Sequence, residues 1–442
     1  MAYSSASGRR PFEYASKSGH SHIISDPAVQ QFLGQCKLPT EAEDIDLTSY
    51  LLVEHTPPVN SPVEHVIAID GGYAEVVVRP QFPSATMAFL QCGALSFSIK
   101  DLNEIEAQRF IEPADIARLK NIERLKLALP VRTIRLASEN TFVASVRRTI
   151  FDFFRLNIAG HSLADTLKWL VFEEFGIPTT WTLASCPLCW ERAIELGDGS
   201  FSSLHTASCP ACGGTLFITD VLRLHEAIDE ELGAGGILGY LVTTIEQIVV
   251  AHFIKALLEL KPTILKELIF IKDGPLAFFG QTANLHKPMR ALVRHLFSKH
   301  DLYMAGLEKS GSFVEHAAQI SSLMKPSHIL ILNNDYIYKY IIPGSADASQ
   351  PYGRTTYYGS KVIFKSRSGG VHVVTLPTSE VLTSPTEKNL RNLHATLQVV
   401  EQMRCDMYDN SLLPVALANK LVSLSDHPSA KILERFAKSK VA

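Results

Sequence analysis

The sequence predicts an α/β protein in which a mixed β-sheet is flanked by helices. Short apolar runs of strand length, such as VIAI at 66–69 and LIFI at 268–271, alternate with longer segments of helical periodicity. Late in the chain, YGSKVIFKS and GGVHVVTLP are two strand-like segments with Ser368, Gly369 and Gly370 at the turn between them, which is typical of an antiparallel hairpin. Crossover helices and hairpins together predict both parallel and antiparallel strand pairs.

The first part of the predicted core follows an N-terminal lead segment. Residues 1–60 are predicted to be helical or irregular and end in HTPPVNSP; residues 61–180 then begin the core. HVIAIDGGYAEVVVRP predicts two strands joined by a turn at Gly71 and Gly72, and TMAFLQCGALSFSI predicts a third. Residues 103–160 are predicted as helices around a short strand, VRTIRLA at 131–137.

The second part of the core follows an insertion. Residues 181–220 hold two cysteine pairs and are predicted to be an inserted zinc ribbon, after which residues 221–380 complete the core. Residues 230–260 have a wide apolar helical face, and the strand after them ends in Asp273, Gly274 and Pro275. Residues 284–325 are predicted as helices around a strand, SHILILNN as a buried strand, and residues 381–442 as a C-terminal helical segment.

Bulk composition limits the class of protein. The chain has 442 residues, 46% of them hydrophobic, and a net charge of −3. We find no run of about 18 uncharged apolar residues, and no apolar run follows the basic N-terminus, so we expect neither a membrane span nor a secretory signal. Seven cysteines, most of them in C-x-x-C pairs, predict a reducing, cytoplasmic location. Since the chain is not basic overall, contact with nucleic acid would need a local basic groove or a basic partner.

The two cysteine pairs form the most specific local motif. C-P-L-C at 186–189 and C-P-A-C-G-G at 209–214 place four thiolates on tight turns. Cys186, Cys189, Cys209 and Cys212 are therefore predicted to bind one Zn²⁺. Four protein ligands leave no open position on the ion, so this site should be structural. The alternative is two unrelated pairs or a redox C-x-x-C.

Three acidic residues predict a second metal site. Asp70 and Asp273 each follow a buried apolar strand and precede a glycine, a position where ligand sites gather in α/β sheets. Their hard oxygen atoms suit Mg²⁺ or Mn²⁺. Glu246, in the helix that leads to the strand of Asp273, is the predicted third ligand. The alternatives are that the Asp-Gly pairs are ordinary turns and that Glu246 is a solvated helix residue.

Several basic and aromatic residues are candidates for a nucleic-acid track. The tyrosines Tyr357 and Tyr358 would stack on bases, unless they are ordinary strand-forming residues. The basic candidates, which would otherwise be solvated helix faces, are Arg147, Arg148, Arg155, Lys287, Arg290, Arg294 and Lys299.

The motifs in their order resemble the NurA-family nucleases. The resemblance covers residues 60–425 and rests on AIDGG at 68–72, IFIKDGPL at 269–276, MAGLEKSG at 304–311 and the late segments TYYGSKVIFK and VHVVTLP. It implies an RNase H-like core and carboxylate-bound manganese or magnesium for DNA cleavage. It also implies a homodimer that works with HerA, a hexameric ATPase, in DNA repair or antiphage defence.

The resemblance assigns roles residue by residue. Asp70, Glu246 and Asp273 match the metal-binding acids, and Lys309 matches a lysine near the DNA backbone. Asn419 stands where the family often has a His or Asp, with His427 eight residues further on. An Asn can donate an oxygen to a metal ion but cannot act as an acid or base, and the zinc insertion is not a general family feature.

These observations predict a metal-dependent DNA exonuclease, with single-strand endonuclease activity as an addition. Two alternatives stay open. One is a catalytically inactive adaptor of RNase H-like fold that docks an ATPase or a defence protein. The other is a nuclease of the same fold that acts on RNA.

Overall fold

The computed structural model describes residues 19–36, 40–100, 122–158, 160–342, 350–404, 412–424 and 429–440. The chain divides into two compact units, Met1–Ile45 and Asp46–Ala442. In the first unit, the structure has two short helices, α1 (Gly19–Ile24) and α2 (Pro27–Gln35). Asp26 caps α2 by accepting hydrogen bonds from the backbone N–H groups of its first turn.

The second unit is built on a nine-stranded sheet. The strands of the described residues are β1 (Leu52–Glu54), β2 (His65–Arg79), β3 (Ala85–Ser98), β4 (Ile122–Arg132), β5 (Asn157–Ile158), β6 (His161–Ser162), β7 (Trp181–Ser185), β8 (Arg192–Leu196), β9 (Thr206–Ser208), β10 (Thr215–Phe217), β11 (Leu268–Asp273), β12 (Tyr303–Glu308), β13 (His328–Ile331), β14 (Gly359–Lys365) and β15 (Val371–Pro377). The order across the large sheet is β1-β13-β14-β15-β12-β11-β2-β3-β4.

The sheet is mixed, as the sequence predicts. Strands β2, β3 and β4 form an antiparallel meander, and β11 runs parallel to both β2 and β12. Three antiparallel strands are thus followed across the sheet by two parallel ones. The predicted hairpin is confirmed, because β14 and β15 pair antiparallel over seven residues each and extend the sheet beyond β12.

One prediction about the first motif is wrong. Gly71 and Gly72 do not form a turn, because β2 runs without a break from His65 to Arg79. These glycines leave room for neighbours instead: a Cβ on Gly71 would lie 2.8 Å from Val242 Cγ1, and one on Gly72 would lie 3.3 Å from the Val422 carbonyl oxygen. Asp70 therefore lies within a long strand and not at its end.

A second prediction needs a shift in position. The strand expected at 131–137 is β4, which lies earlier, at Ile122–Arg132. Alternating apolar residues in IERLKLALPV pair it with β3, and the chain leaves the sheet after Arg132. The predicted helical residues 103–121 lie outside the described residues.

Helices cover both faces of the sheet. Those of the second unit are α3 (Phe142–Phe154), α4 (Leu163–Val171), α5 (Leu238–Leu260), α6 (His286–Lys299), α7 (Ser312–Gln319), α8 (Asn334–Tyr336), α9 (Leu393–Gln402), α10 (Leu413–Val422) and α11 (Ser429–Lys440). Alternate residues of β2 divide between two cores. Ile67 and Ile69 belong to the core with α3–α6, whereas Val66 and Ala68 belong to the core with α9 and α10.

Helix α5 is the central element of the first core. The segment Gly235–Leu260 is the one helical segment of the described residues that is long and apolar enough to cross a membrane. Of its most apolar window, 78% is buried inside the protein. Burial on all sides explains the composition, as expected for a core helix.

Candidate metal centres

Asp70 and Asp273 lie on neighbouring strands. Parallel pairing of β2 with β11 sets Ile69 beside Lys272, so the next residue on each strand is an aspartate. Adjacent strands are about 4.8 Å apart, so the backbones of these two aspartates are neighbours. The register of the two parallel strands thus brings together carboxylates that are separated by about two hundred residues of sequence.

Asp70 is a buried acid with one unsatisfied oxygen. Its side chain is 3% exposed, and its Oδ1 accepts a hydrogen bond of 2.8 Å from the Gly71 N–H. Its Oδ2 is buried without a hydrogen-bond partner. Burial raises the pKa of Asp70 to about 6, and the charge of Asp273 adds to the rise. An unpaired buried carboxylate oxygen is costly unless a cation or a proton compensates it.

Glu246 reaches the same place from helix α5. Its carboxylate is 5% exposed and forms an ion pair of 2.9 Å, Oε2 to Nζ, with the buried Lys272. Burial raises the pKa of Glu246 to about 7; Lys272 opposes the rise, while Asp70 and Asp273 add to it. All three predicted acidic ligands therefore lie within electrostatic range of one another.

Two further predicted residues complete the surroundings. Lys309, just after β12, donates a hydrogen bond of 2.8 Å from Nζ to Oδ2 of Asp273. Asn419 lies on α10, on the opposite side of the sheet from α5, and its amide lowers the pKa of Asp70. His427, the predicted substitute for the missing acid, lies outside the described residues.

The donor set of these residues fits a divalent cation. Carboxylates on two strands and a helix, with a side-chain amide beside them, offer the hard oxygens that Mg²⁺ or Mn²⁺ prefers. Among the described residues, the four cysteines are the one group of His, Cys, Asp or Glu side chains whose ligand atoms converge closely enough to hold a metal ion, so the three carboxylates are further apart than that in this structure. In this structure the ammonium groups of Lys272 and Lys309 neutralise the negative charges of Glu246 and Asp273.

Lys272 is the residue of this site that the sequence interpretation missed. It is 3% exposed and stands in the middle of the motif IFIKDGPL. A lysine between apolar residues of a buried strand signals a buried ion pair, because a buried ammonium group needs a partner. Cys92 on β3, also buried, faces the same charges of Glu246 and Asp70.

Part of the predicted nucleic-acid track is wrong. Arg147 is buried in a bidentate ion pair with Asp220, so it is structural. Tyr357 and Tyr358 are also buried, and a ring without an exposed face cannot stack on a base. Arg290 is buried as well, at 9% exposure, whereas Arg294 on the same helix is exposed.

The four cysteines converge as a second candidate metal centre. Their sulfur atoms all lie within 4.8 Å of one another, and Cys189 Sγ is 3.9 Å from Cys209 Sγ. Zinc–sulfur bonds of about 2.3 Å in a tetrahedron require sulfur separations of about 3.8 Å. Burial raises the pKa of Cys209, but the backbone N–H groups of Cys212 and Ala211 outweigh this and lower it to about 7. The arrangement fits a closed Zn²⁺ site.

The cysteine segment packs on its parent unit. Cys186 and Cys209 are buried in the same core as α3–α6, and the Phe217 ring stacks on Phe151 of α3 with centroids 4.2 Å apart. Asp220, which pairs with Arg147 of α3, accepts a further hydrogen bond from the Phe217 N–H. The cysteine segment thus packs against α3 and stabilises the helical side of this core.

Comparisons with known proteins give structural likeness only. No protein-family model and no curated protein matches the chain. The chain is similar to the crystal structure of the NurA nuclease from Sulfolobus solfataricus, with 10% identity, a TM-score of 0.32 and coverage of 96% of this chain and 95% of that one. Two more NurA structures are similar: one at 11% identity, TM-score 0.30 and 97% and 99% coverage, and one with manganese at 12%, 0.27 and 88% and 91%.

Proposed function

We propose that this protein is a divalent-metal-dependent nuclease that hydrolyses phosphodiester bonds of DNA. The observation that carries the proposal is the buried Oδ2 of Asp70, which has the Asn419 amide near the carboxylate but no hydrogen bond of its own, beside Asp273 on the adjacent strand. The motif resemblance described above supports the same chemistry. Manganese or magnesium held by Asp70, Glu246 and Asp273 would activate water and stabilise the leaving oxygen.

The other side chains of the site have supporting roles in this proposal. Lys309, which is partly exposed and paired with Asp273, would neutralise a phosphate oxygen once Asp273 binds a cation instead. Asn419 can offer an oxygen to a metal ion but cannot transfer a proton. Lys272 opposes the effect of burial on the pKa of Glu246 and so favours the ionised carboxylate, from inside the sheet.

The decisive test is cleavage of end-labelled DNA with and without Mn²⁺. We expect Asp273→Asn to lower the rate by more than about 100-fold, since metal stabilisation of the transition state is worth several kcal/mol. Asp301→Asn is the matched control, because Asp301 is an exposed acid paired with Arg391 away from the site. Undiminished cleavage by purified Asp273→Asn would remove the metal-ligand assignment.

A catalytically inactive adaptor is the second candidate. Asn419 in place of an acid favours it, as do the two lysines that already balance Glu246 and Asp273. Calorimetric titration with Mn²⁺ separates the candidates. A nuclease should bind Mn²⁺ in a manner that Asp70→Asn weakens, whereas an adaptor should show no binding that depends on Asp70.

The choice of DNA as the substrate rests on the motif resemblance and needs a separate test. Single-stranded DNA, duplex DNA and RNA of one sequence, each labelled at either end, would be digested side by side. Preference for DNA supports the proposal, and the order in which labelled products appear gives the polarity and separates exonuclease from endonuclease action. Preference for RNA would make the protein an RNA-directed nuclease of the same fold.

The partners are proposed on the same basis. A homodimer that works with a HerA-like hexameric ATPase in repair or antiphage defence agrees with the motif resemblance, and a motor that delivers DNA explains why no basic surplus is needed. Light scattering after size-exclusion chromatography tests the dimer. Co-expression with a HerA-like ATPase from the same genome, followed by affinity purification of either protein, tests the complex.

A further inference from the structure

A small cavity lies beside the loop that follows Asp273. It has a volume of about 30 Å³. The backbone of its wall is bound to that loop: the Tyr358 N–H donates to the Leu276 carbonyl at 3.1 Å, and the Phe278 N–H donates to the Thr356 carbonyl at 3.0 Å. The polar and aromatic side chains at its wall include those of Arg290, Asn334, Tyr352, Tyr357, Ser360 and Lys361.

Arg290 is a buried cation without a counter-ion. Only 9% of it is exposed, and one Nη donates a hydrogen bond to the Tyr357 carbonyl oxygen. Its Nε is buried and has no hydrogen-bond partner, and no carboxylate of the described residues forms an ion pair with it. Burial lowers the pKa of Arg290. Buried guanidinium groups in proteins are normally paired with an anion, so this one lacks its usual partner.

The second buried cation of the cavity is already balanced. Lys361 forms an ion pair of 2.5 Å with Glu308, and its Nζ lies 3.7 Å from the centre of the Phe313 ring. At the rim, Arg354 and Glu380 are both exposed and of opposite charge. With Lys361 paired to Glu308 and the two exposed charges at the rim opposite in sign, the positive charge of Arg290 remains in excess.

We propose that this cavity binds a phosphate group, with the Arg290 guanidinium as its counter-ion. The volume exceeds the roughly 10–15 Å³ that one water molecule needs and is far below the roughly 300 Å³ of pockets for larger ligands. It therefore suits a single compact oxyanion and not a whole nucleotide. Guanidinium–phosphate pairs are among the strongest charge-assisted hydrogen bonds, and the free Nε–H supplies a donor for one.

The phosphate has two sources. One is free inorganic phosphate, and the other is the terminal phosphate of a nucleic-acid strand whose end lies at the neighbouring carboxylates. Only the second source rests on the proposed nuclease function. Binding is therefore measured in EDTA, where the outcome does not depend on cleavage.

The first experiment is thermal unfolding in increasing inorganic phosphate, with chloride at matched ionic strength as the salt control. We expect a saturable rise of Tm in the wild type. Arg290→Gln, which keeps a donor for the Tyr357 carbonyl, should weaken phosphate binding by about tenfold or more. Arg294→Gln is the matched control, because it removes the same charge from an exposed position one turn further along the helix. It should keep the rise.

The same experiment separates a ligand-binding role from a structural clamp. Without phosphate, Arg290→Gln should be at least as stable as the wild type, because it removes an uncompensated buried charge. If that variant does not fold, Arg290→Lys, which keeps the charge but loses the planar fork, should show a reduced rise. No rise in the wild type, or an equal rise in all variants, overturns the proposal.

The second experiment assigns the source. Fluorescence anisotropy in EDTA would compare oligonucleotides that end in a 5′-phosphate, a 3′-phosphate or hydroxyl groups only. Tighter binding of one phosphorylated end, lost in Arg290→Gln and kept in Arg192→Gln, which removes an exposed positive charge on β8, identifies a nucleic-acid end as the ligand. Equal binding of all three, together with the phosphate-dependent rise of Tm, identifies the free ion.

Discussion

Asp70 and Glu246 are acids whose charged forms are disfavoured by their position. Both are at most 5% exposed, and burial raises the pKa of Asp70 to about 6 and that of Glu246 to about 7. In the absence of a cation, the folded protein therefore holds protons at this site more tightly than the unfolded chain does. Such shifts are common at functional sites, where the burial that costs stability also strengthens the binding of a cation.

The shift of Asp70 predicts how stability depends on pH. Its folded pKa exceeds the ordinary value of 3.8, so its contribution to the free energy of unfolding is lost as pH rises from about 4 to about 6. Asp70→Asn removes the titrating carboxyl group and therefore this loss of stability. In EDTA at pH 7.5 the variant should be more stable than the wild type by at most about 3 kcal/mol, and at pH 4 by almost nothing. Urea unfolding at both pH values measures the difference.

Added Mn²⁺ provides the control for this prediction. It should raise the Tm of the wild type at pH 7.5 and leave that of Asp70→Asn almost unchanged, because a ligand stabilises only the protein that binds it. A variant less stable than the wild type at pH 7.5 would show that the charge of Asp70 is balanced in the folded protein.

Residue identity alone predicts some of these partners and not others. Asp70 and Asp273 could be paired from sequence because each ends a short apolar run before a glycine. The ion pair between Glu246 and Lys272 could not, since it depends on how α5 is rotated against the sheet. For the same reason the sequence predicts Arg147 and Arg290 to be surface charges, although both are buried.

At the scale of elements, the contact between β2 and α5 sets the geometry of the site. Gly71→Ala would place a Cβ 2.8 Å from Val242 Cγ1 and 3.1 Å from Glu246 Oε1, so α5 must shift. We expect a loss of stability of about 1–3 kcal/mol, as in other overpacked cores, and a loss of Mn²⁺ affinity. Denaturant unfolding and calorimetry measure the two effects.

Gly239→Ala, in helix α5, is the control for Gly71→Ala. No atom lies within 4 Å of the Cβ it would add, and alanine favours helix by up to about 1 kcal/mol over glycine. It should be neutral or stabilising and should bind Mn²⁺ normally. If Gly71→Ala behaves like Gly239→Ala, close packing between β2 and α5 is not what holds Glu246 in place.

The cysteine segment is an element whose stability should depend on its ion. We expect one Zn²⁺ per chain in the purified wild type and less in Cys209→Ser. Because the segment shares a core with α3–α6, losing the ion should cost about 2 kcal/mol or more and lower Tm by about 2 °C or more. Cys36→Ser, which changes an exposed thiol in the first unit, should keep both the zinc and the Tm. A wild type without zinc, with all four thiols reactive, would contradict this.

On the scale of the whole molecule, strand order was the hardest feature to predict. Apolar runs predict that strands exist, and the late hairpin even predicts its partners, because its turn residues join adjacent segments. The parallel pairing of β2 with β11 joins residues about two hundred positions apart, and no local pattern specifies it. The turn predicted at Gly71 and Gly72 is wrong for a related reason. These glycines leave room for Val242 of α5 and Val422 of α10, which are distant in sequence.

The division into two units yields a prediction about truncation. Helices α1 and α2 bury no side chain, and Ile23, Ile24, Phe32 and Leu33 are all more than 60% exposed. The described residues 19–36 therefore bury little apolar area, and we expect removal of residues 1–40 to change Tm by less than about 2 °C, the effect of under 1 kcal/mol in a domain of this size.

A longer truncation is the contrasting variant. Removing residues 1–56 also deletes β1, which pairs with β13 through Leu52 opposite Leu330, and the buried His55. This exposes the backbone of β13 as a new sheet edge, so Tm should fall and the variant should self-associate at high concentration. Differential scanning calorimetry and light scattering on both variants check the two outcomes. If the shorter truncation is as damaging as the longer one, residues 1–40 contribute to the stability of the second unit.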